Sequence, residues 1–411
     1  MADKTCRFCK THLQHSFCDL GMSPLSNSYL KKEELSKREP FYPLHAYVCD
    51  KCFLVQLEEF ETPDQIFSDY AYFSSYSESW LKHAENYVNS MIQRFKFNST
   101  SQIIELASND GYLLKYFKVK GVPVLGIEPA ANVADVAIAH GIPTQKKFFG
   151  VNTAKELVQE GLQADLLLGN NVLAHVPDLN DFVEGMKLLL KPHGVITMEF
   201  PHLLKLIAEH QFDTIYHEHF SYFSFLTVEK VFAKHGLTLF DVEELPTHGG
   251  SLRIFAKHQN DTSNPISSKV AELKQREISL GLDKLQTYQS FQKSVSQTKE
   301  SLIKFLKEAK KQGKTVIGYG APAKGNTLLN FCGVGKEFID YTVDRSPHKQ
   351  GQFLPGTHIP IRHPDDISKT KPDYLLILPW NLKDEIMQQM SFIKTWGGQF
   401  VTPIPHTEVI R

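Results

Sequence analysis

Several things are scarce in this chain. Six cysteines in 411 residues are too few for a disulfide scaffold. Neither sign of charge prevails. Forty-five Lys and Arg face 46 Asp and Glu, a formal net charge of -1. That balance excludes a general nucleic-acid binder, which carries a basic excess. No apolar run approaches the roughly 18 residues of a membrane span; the longest, such as Tyr374 to Trp380, are strand-sized. The opening MADKTC lacks an apolar h-region, so no secretory signal and a cytoplasmic enzyme are expected. What remains is ordinary globular composition, 42% hydrophobic and 22% charged, at a length that suggests two or three domains.

The few cysteines are unevenly placed. Five lie in the first 52 residues, and Cys332 stands alone. Cys6 and Cys9 form one C-x-x-C, and Cys49 and Cys52 form another. Two such knuckles offer four thiolates to one tetrahedral ion, a closed site of the structural zinc type. The 39-residue loop between them exceeds the usual ribbon spacing and contains Pro24, Pro40 and Pro43, so irregular chain and short strands are expected there. Four thiolates leave no open position, so the zinc is given no catalytic role. Free buried thiols or a redox pair are the alternatives. Cys18 reads as a small buried residue, His12 and His15 as surface residues. An aromatic stretch, Ile66 to Trp80, follows; its aromatics share no single helical face. It reads as a joint between domains whose hydroxyls could also line a substrate pocket.

From Ser101 short apolar runs alternate with helical stretches. The strands IIEL, VLGIE, ADLLLGNN and GVITMEF predict a mostly parallel, doubly wound sheet. Ligands of such sheets sit at the carboxyl ends of strands. Glu105 to Gly111 reads ELASNDG, in frame with the methyltransferase pattern E-x-G-x-G-x-G, with Ala107 and Asn109 in the first two glycine places. Glu128, followed by Pro129, stands 23 residues after Glu105, where an acidic residue accepts ribose hydroxyls. A third strand ends at Asn170 and Asn171, before a helical VLAHV. S-adenosylmethionine (SAM) is the expected cofactor.

Tyr216, His217, Glu218 and His219 follow the fourth strand and its helix. Histidine is the common general base near neutral pH. A neighbouring carboxylate can orient it, and a tyrosine can donate to a developing oxyanion. Together they suit proton abstraction beside a carbonyl. The H-E-x-x-H of zinc proteases is absent. His175, just past a strand end, is a second candidate.

Residues 262 to 312 are polar and helix-forming, a solvated face leading into a further α/β unit. That unit opens with TVIGYGAPAKGNTLLN, in which Gly318, Gly320 and Ala323 fit G-x-G-x-x-A; Asp344 ends the next strand. Alone this is a dinucleotide fingerprint, and it supports an alternative reading: a zinc-containing NAD-dependent dehydrogenase. Pro322 in the turn and Lys324 after it suit a modified site for a diphosphate. Lys349, in the loop SPHKQGQFLPGT, could reach phosphate. Arg253, in HGGSLRIF, could serve a phosphate or be structural.

At this point the chain resembles the sugar C-methyltransferases that act on keto-deoxyhexose nucleotides. The resemblance spans the whole chain: both C-x-x-C pairs, DLGMSPLSNSY, YAYFSSYSESW, ELASNDGYLL, GIEPA, NNVLAHVPDL, EFPHLL, YHEH, HGGSLR and GYGAPAKGNTLLN. It implies zinc ligands at Cys6, Cys9, Cys49 and Cys52. It implies a base at His219, with Tyr216, Glu218 and His175 beside it. A tyrosine of the YAYF segment is also implicated, Tyr70 first, with Tyr72 and Tyr76 open. SAM would sit against Glu105, Ala107, Asn109, Gly111, Glu128, Pro129, Asn170 and Asn171. The nucleotide-sugar would meet Tyr72, Tyr76, Arg253, Gly320, Lys324, Asn326 and Lys349. The implied reaction is methylation of a nucleoside-diphosphate 4-keto-deoxyhexose, dTDP-linked, more often at C3 than C5, through an enolate. The expected architecture is a zinc-binding domain (1–75), a class I SAM methyltransferase domain (76–260) and a helical connection with a Rossmann-like nucleotide-sugar domain (261–411). No nucleic-acid or membrane partner is expected, and a monomer is the default.

Overall fold

A computed structural model describes residues 4–62 and 73–410. Tyr70 and Tyr72 lie outside the described residues.

The N-terminal strands β1 (His15–Ser23), β2 (Tyr42–Val48) and β3 (Val55–Gln56) pair in antiparallel order. The long loop between the cysteine pairs is therefore mostly a bulged hairpin. One side of this small sheet packs Phe17, Leu44 and Val48 against Tyr288 and Phe291 of the helical connection. The Phe17 and Phe291 rings stack at 4.7 Å. The cysteine end joins a different core, with Phe223, Phe225 and Val228. A segment too small for a core of its own is buried between two larger bodies.

The central sheet contains β4 (Ile103–Leu106), β5 (Val124–Ile127), β6 (Thr144–Gln145), β7 (Ala164–Asn170), β8 (Leu190–Pro201), β10 (Leu237–Leu245) and β11 (Ser251–His258). Its order is β10-β11-β8-β7-β4-β5-β6, and β11 runs antiparallel to both neighbours. Every residue of β4 and β5 is buried, as helices on both faces require. The order reverses between β4 and β7, which opens a crevice at their carboxyl ends. The expected helix at VLAHV is only a 3-10 turn, Leu173–His175. Pro177 follows it and cannot continue a helix.

Strand β9 (Ser221–Tyr222) belongs to neither half of this pattern. It pairs with β3, Val55 opposite Tyr222, and so completes the N-terminal sheet from within the central segment. The helices Ser268–Ser279 and Phe291–Lys311 form the polar connection. The last sheet, β12 (Val316–Tyr319), β13 (Thr342–Val343), β14 (Ile361–Arg362), β15 (Tyr374–Ile377), β16 (Gln399–Thr402) and β17 (Glu408–Ile410), has the order β14-β13-β12-β15-β16-β17. That is the doubly wound order 3-2-1-4-5-6, with its crevice between β12 and β15. Among the described residues no helix is long and apolar enough to cross a membrane.

Candidate active site

The four knuckle cysteines converge. Cys6 and Cys52 sulfurs lie 3.6 Å apart, Cys9 and Cys49 3.5 Å, and Cys9 and Cys52 3.7 Å. Tetrahedral bonds of about 2.3 Å to zinc place sulfurs about 3.8 Å apart, so the set fits the ion. The two knuckles share one backbone form. Lys10 and Phe53, each just past the second cysteine, have φ of 62° and 64°. Their N–H groups donate to the carbonyls of Cys6 and Cys49. Cys18 is fully buried, as expected.

The loop after β4 carries the glycine pattern in its backbone. Ala107, Asn109 and Gly111 have φ of 54°, 51° and 75°. All three are left-handed, which explains why glycine suits these places and why Ala107 holds its own at some cost. A Cβ on Gly111 would stand 2.9 Å from Ile142. Glu128 accepts the N–H of Asn109 at 2.8 Å and of Ala130 at 2.9 Å, which binds the ends of β4 and β5 together beside Pro129. Glu105 lies beneath this loop, buried; desolvation, then the charges of Asp110 and Glu128, hold its carboxyl well above the usual range. Asn170 donates to the Tyr112 hydroxyl at 3.3 Å. Asn171, with φ of 56°, donates to His248 at 3.0 Å.

Residues Phe73 to Trp80 lie over this loop. Ser74 N–H donates to the Asn109 side chain and Ser75 to the Asp110 carboxylate. Tyr76 is 62% exposed and stacks on His348 of the C-terminal unit at 6.3 Å. Trp80 stacks on His83 and Tyr112. Two of these contacts place the joint directly on the expected cofactor loop.

The YHEH segment is a turn closed by the His219 N–H on the Tyr216 carbonyl. Its ends therefore share a side, and its middle residues point away. The Tyr216 and His219 rings lie 4.0 Å apart, and His175 meets His219 edge-on at 4.7 Å. His219 Nδ1 is 2.9 Å from the Thr214 carbonyl. A carbonyl only accepts, so Nδ1 carries the proton and Nε2 keeps its lone pair. Burial, then His175, holds His219 well below the usual histidine range, so the ring is neutral at pH 7. Burial brings His175 and His248 down to about 4.

Glu218 differs from the expectation of an orienting carboxylate. It sits in the middle of the turn and accepts from Asn27 at 2.7 Å; Thr214 orients His219 instead. Burial raises Glu218 to about 7. His217 points to the Pro43 carbonyl, 3.3 Å away.

The crevice of the C-terminal sheet faces this cluster. Gly320 has φ of 90°, and a Cβ there would meet Pro379 at 2.6 Å. Asp344, which a dinucleotide site would turn toward ribose, accepts the Ala321 N–H at 2.7 Å. Lys324 is half-buried; its ammonium donates to Asn381 at 2.8 Å and lies 4.6 Å over the Trp380 ring. Asn326 donates to the Ser26 carbonyl at 2.6 Å, and Lys349 to that of Ala321 at 2.8 Å. The loop Ser26 to Tyr29 thus runs between the YHEH turn and the helix Ala323–Cys332. Arg253 stands apart. Its guanidinium pairs with Glu199 at 2.7 Å and Glu243 at 2.8 Å beneath the Tyr87 ring, the structural arrangement its strand also allowed.

The sequence alone does not single out Thr214, Asn27, Tyr29, Ser74, Asp213, His248 and Trp380 as site residues. DLGMSPLSNSY, YAYFSSYSESW and HGGSLR contain four of them, but nothing in those motifs says which distant element each residue meets.

A zinc-type cysteine set beside a SAM-type crevice defines a zinc-binding SAM-dependent methyltransferase. Family models agree: a zinc binding domain matches residues 6–67, a methyltransferase domain 80–242 and a C-methyltransferase C-terminal domain 246–405. The chain is 35% identical to C-methyltransferase NovU of Streptomyces niveus over 98% of its own length and 96% of that protein. It belongs to this C-methyltransferase family and is a SAM-dependent C-methyltransferase. A ubiquinone biosynthesis O-methyltransferase of Bartonella tribocorum is 29% identical over 23% of this chain and 39% of its own. Among solved structures, the PH0226 protein of Pyrococcus horikoshii OT3 overlaps 48% of this chain and 99% of its own, at 16% identity and a TM-score of 0.38.

Proposed function

We propose that the substrate is a nucleoside-diphosphate 4-keto-deoxyhexose, dTDP-linked, and that the methyl goes to a carbon beside the ketone, C3 before C5. The observation that carries this is the tautomer of His219: a neutral imidazole with its basic Nε2 directed away from Thr214, beside Tyr216 and His175. Carbon methylation needs a base for a C–H; a hydroxyl substrate has no such requirement.

In this reading His219 Nε2 takes the proton next to the ketone. Tyr216 donates to the enolate oxygen as charge develops, and His175, neutral, is placed to assist. SAM, when bound, supplies the electrophilic methyl. Ala107 to Gly111, Glu128, Pro129, Asn170 and Asn171 hold and orient it against the sugar, and orientation lowers much of the barrier. The C-terminal crevice, with Gly320, Lys324, Asn326 and Lys349, takes the nucleotide diphosphate. The three domains of this reading are 1–75, 76–260 and 261–411, and the enzyme works in the cytoplasm as a monomer.

The test is a reaction of the enzyme with SAM and dTDP-4-keto-6-deoxyglucose in deuterated water, read by mass spectrometry and NMR. A product heavier by one methyl, bound to carbon, with solvent deuterium in unreacted sugar, is expected. The position of the methyl separates C3 from C5. Methyl found on oxygen would overturn the reading.

A further inference from the structure

Thr214, which sets the tautomer of His219, ends a 3-10 turn, Phe212–Thr214. The residue before it, Asp213, is fully buried. Its carboxylate accepts the indole N–H of Trp380 at 2.7 Å. Trp380 follows β15 at the crevice of the C-terminal sheet. The same indole lies under the Lys324 ammonium and is packed so tightly on Gly249 that a Cβ there would come within 2.5 Å of it. Gly249 neighbours His248, which Asn171 at the end of β7 contacts. One side chain of the C-terminal unit therefore touches both the turn that holds His219 and the turn that holds His248.

We infer that Asp213 and Trp380 are positioning residues for the methyl-transfer reaction, a hydrogen bond between domains that keeps the Thr214 carbonyl on His219 Nδ1. The inference rests on His219 being the base. The hydrogen bond is to a buried carboxylate, so it is strong and its geometry is narrow. Loosening it lets Thr214 shift, and a base misplaced by a fraction of an ångström loses rate and not affinity. On this view the C-terminal unit completes the base as well as receiving the nucleotide.

Trp380→Phe removes the N–H and keeps an aromatic ring, but also removes the outer indole atoms, Cη2 and Cζ3, that lie against Gly249. With dTDP-4-keto-6-deoxyglucose as probe, kcat and the rate of deuterium exchange into the sugar are expected to fall together by about tenfold, with KM and SAM affinity within twofold. Asp213→Asn retains an accepting oxygen and is expected to restore most of the rate lost in Asp213→Ala. A merely structural contact would lower thermal stability and leave kcat per SAM-binding site, and exchange, unchanged; that outcome overturns the inference. Because Trp380→Phe could disturb folding, Asp213→Asn against Asp213→Ala carries the decision on its own. His219→Asn, run alongside, separates the failures. If it keeps exchange, the base assignment falls; if it loses exchange while Trp380→Phe and Asp213→Ala keep it, only the positioning role falls.

Discussion

The Thr214 carbonyl lies 2.9 Å from Nδ1 of His219 and decides which nitrogen of that ring is basic. A histidine held this way presents one lone pair in one direction. His219→Asn or His219→Gln should therefore cost roughly 10²- to 10⁴-fold in turnover, the range of a positioned acid–base group. SAM affinity, measured by calorimetry, should stay near that of the parent. Unchanged turnover would refute the assignment.

Glu128 accepts two backbone N–H groups, one of them from the loop proposed here to hold the cofactor. Glu128→Ala removes an ionic acceptor and frees the loop. SAM affinity should drop roughly 10- to 100-fold, as loss of a hydrogen bond to a charged group predicts. The measurement is titration calorimetry on the purified enzyme; affinity within twofold would take Glu128 out of the cofactor site.

Metal content can be counted directly. One zinc per chain is expected from elemental analysis, and Cys49→Ser should lose it. Because β9 joins the cysteine-bearing sheet and begins two residues after His219, zinc loss should lower kcat as well as stability. A zinc-free variant with full turnover would separate the metal from the active site.

Acid sensitivity should divide between neighbours. Burial brings His217 down to about 4, against roughly 6.5 in an unfolded chain. The unfolded state takes the proton first, so this group makes stability fall as pH drops from about 6.5 to 4, by roughly 2 kcal/mol between pH 6.5 and 5. Glu218, raised to about 7, has the opposite sign: the native state keeps its proton longer, so stability rises as pH falls below 7. His217→Asn should flatten the acid loss and Glu218→Gln should steepen it. Urea unfolding at pH 7.5 and 5 would show both; equal slopes in all three proteins would contradict the argument.

How much of this was legible beforehand depends on the range of the interaction. The cysteine knuckles, the strands β4, β5, β7, β8, β12, β13 and β15, and the tight loop Ala107 to Gly111 follow from residues close in sequence, and the structure has them where the pattern places them; β6, β10, β14, β16 and β17 carry no such local signal. The partner of His219 was misread for a local reason. Adjacent residues of a turn point apart, so Glu218 faces Asn27 while Thr214, five residues before His219, reaches it. Asn27, Asp213 and Trp380 were invisible for a topological reason: Asp213 and Trp380 are 167 positions apart, and no periodicity links them. Arg253 was ambiguous until Glu199 and Glu243 were seen on either side of it.

The pairing of Val55 with Tyr222 also bears on how the chain is assembled. The N-terminal sheet is synthesised first, yet its last strand arrives only after most of the central sheet has been made. Until then β3 presents an open edge, the kind of surface that recruits foreign strands. Closing such a distant contact is slow. Ion capture by the four early cysteines would hold the hairpin in shape meanwhile, so zinc supply during synthesis should govern how much of the chain reaches the native state and how much aggregates.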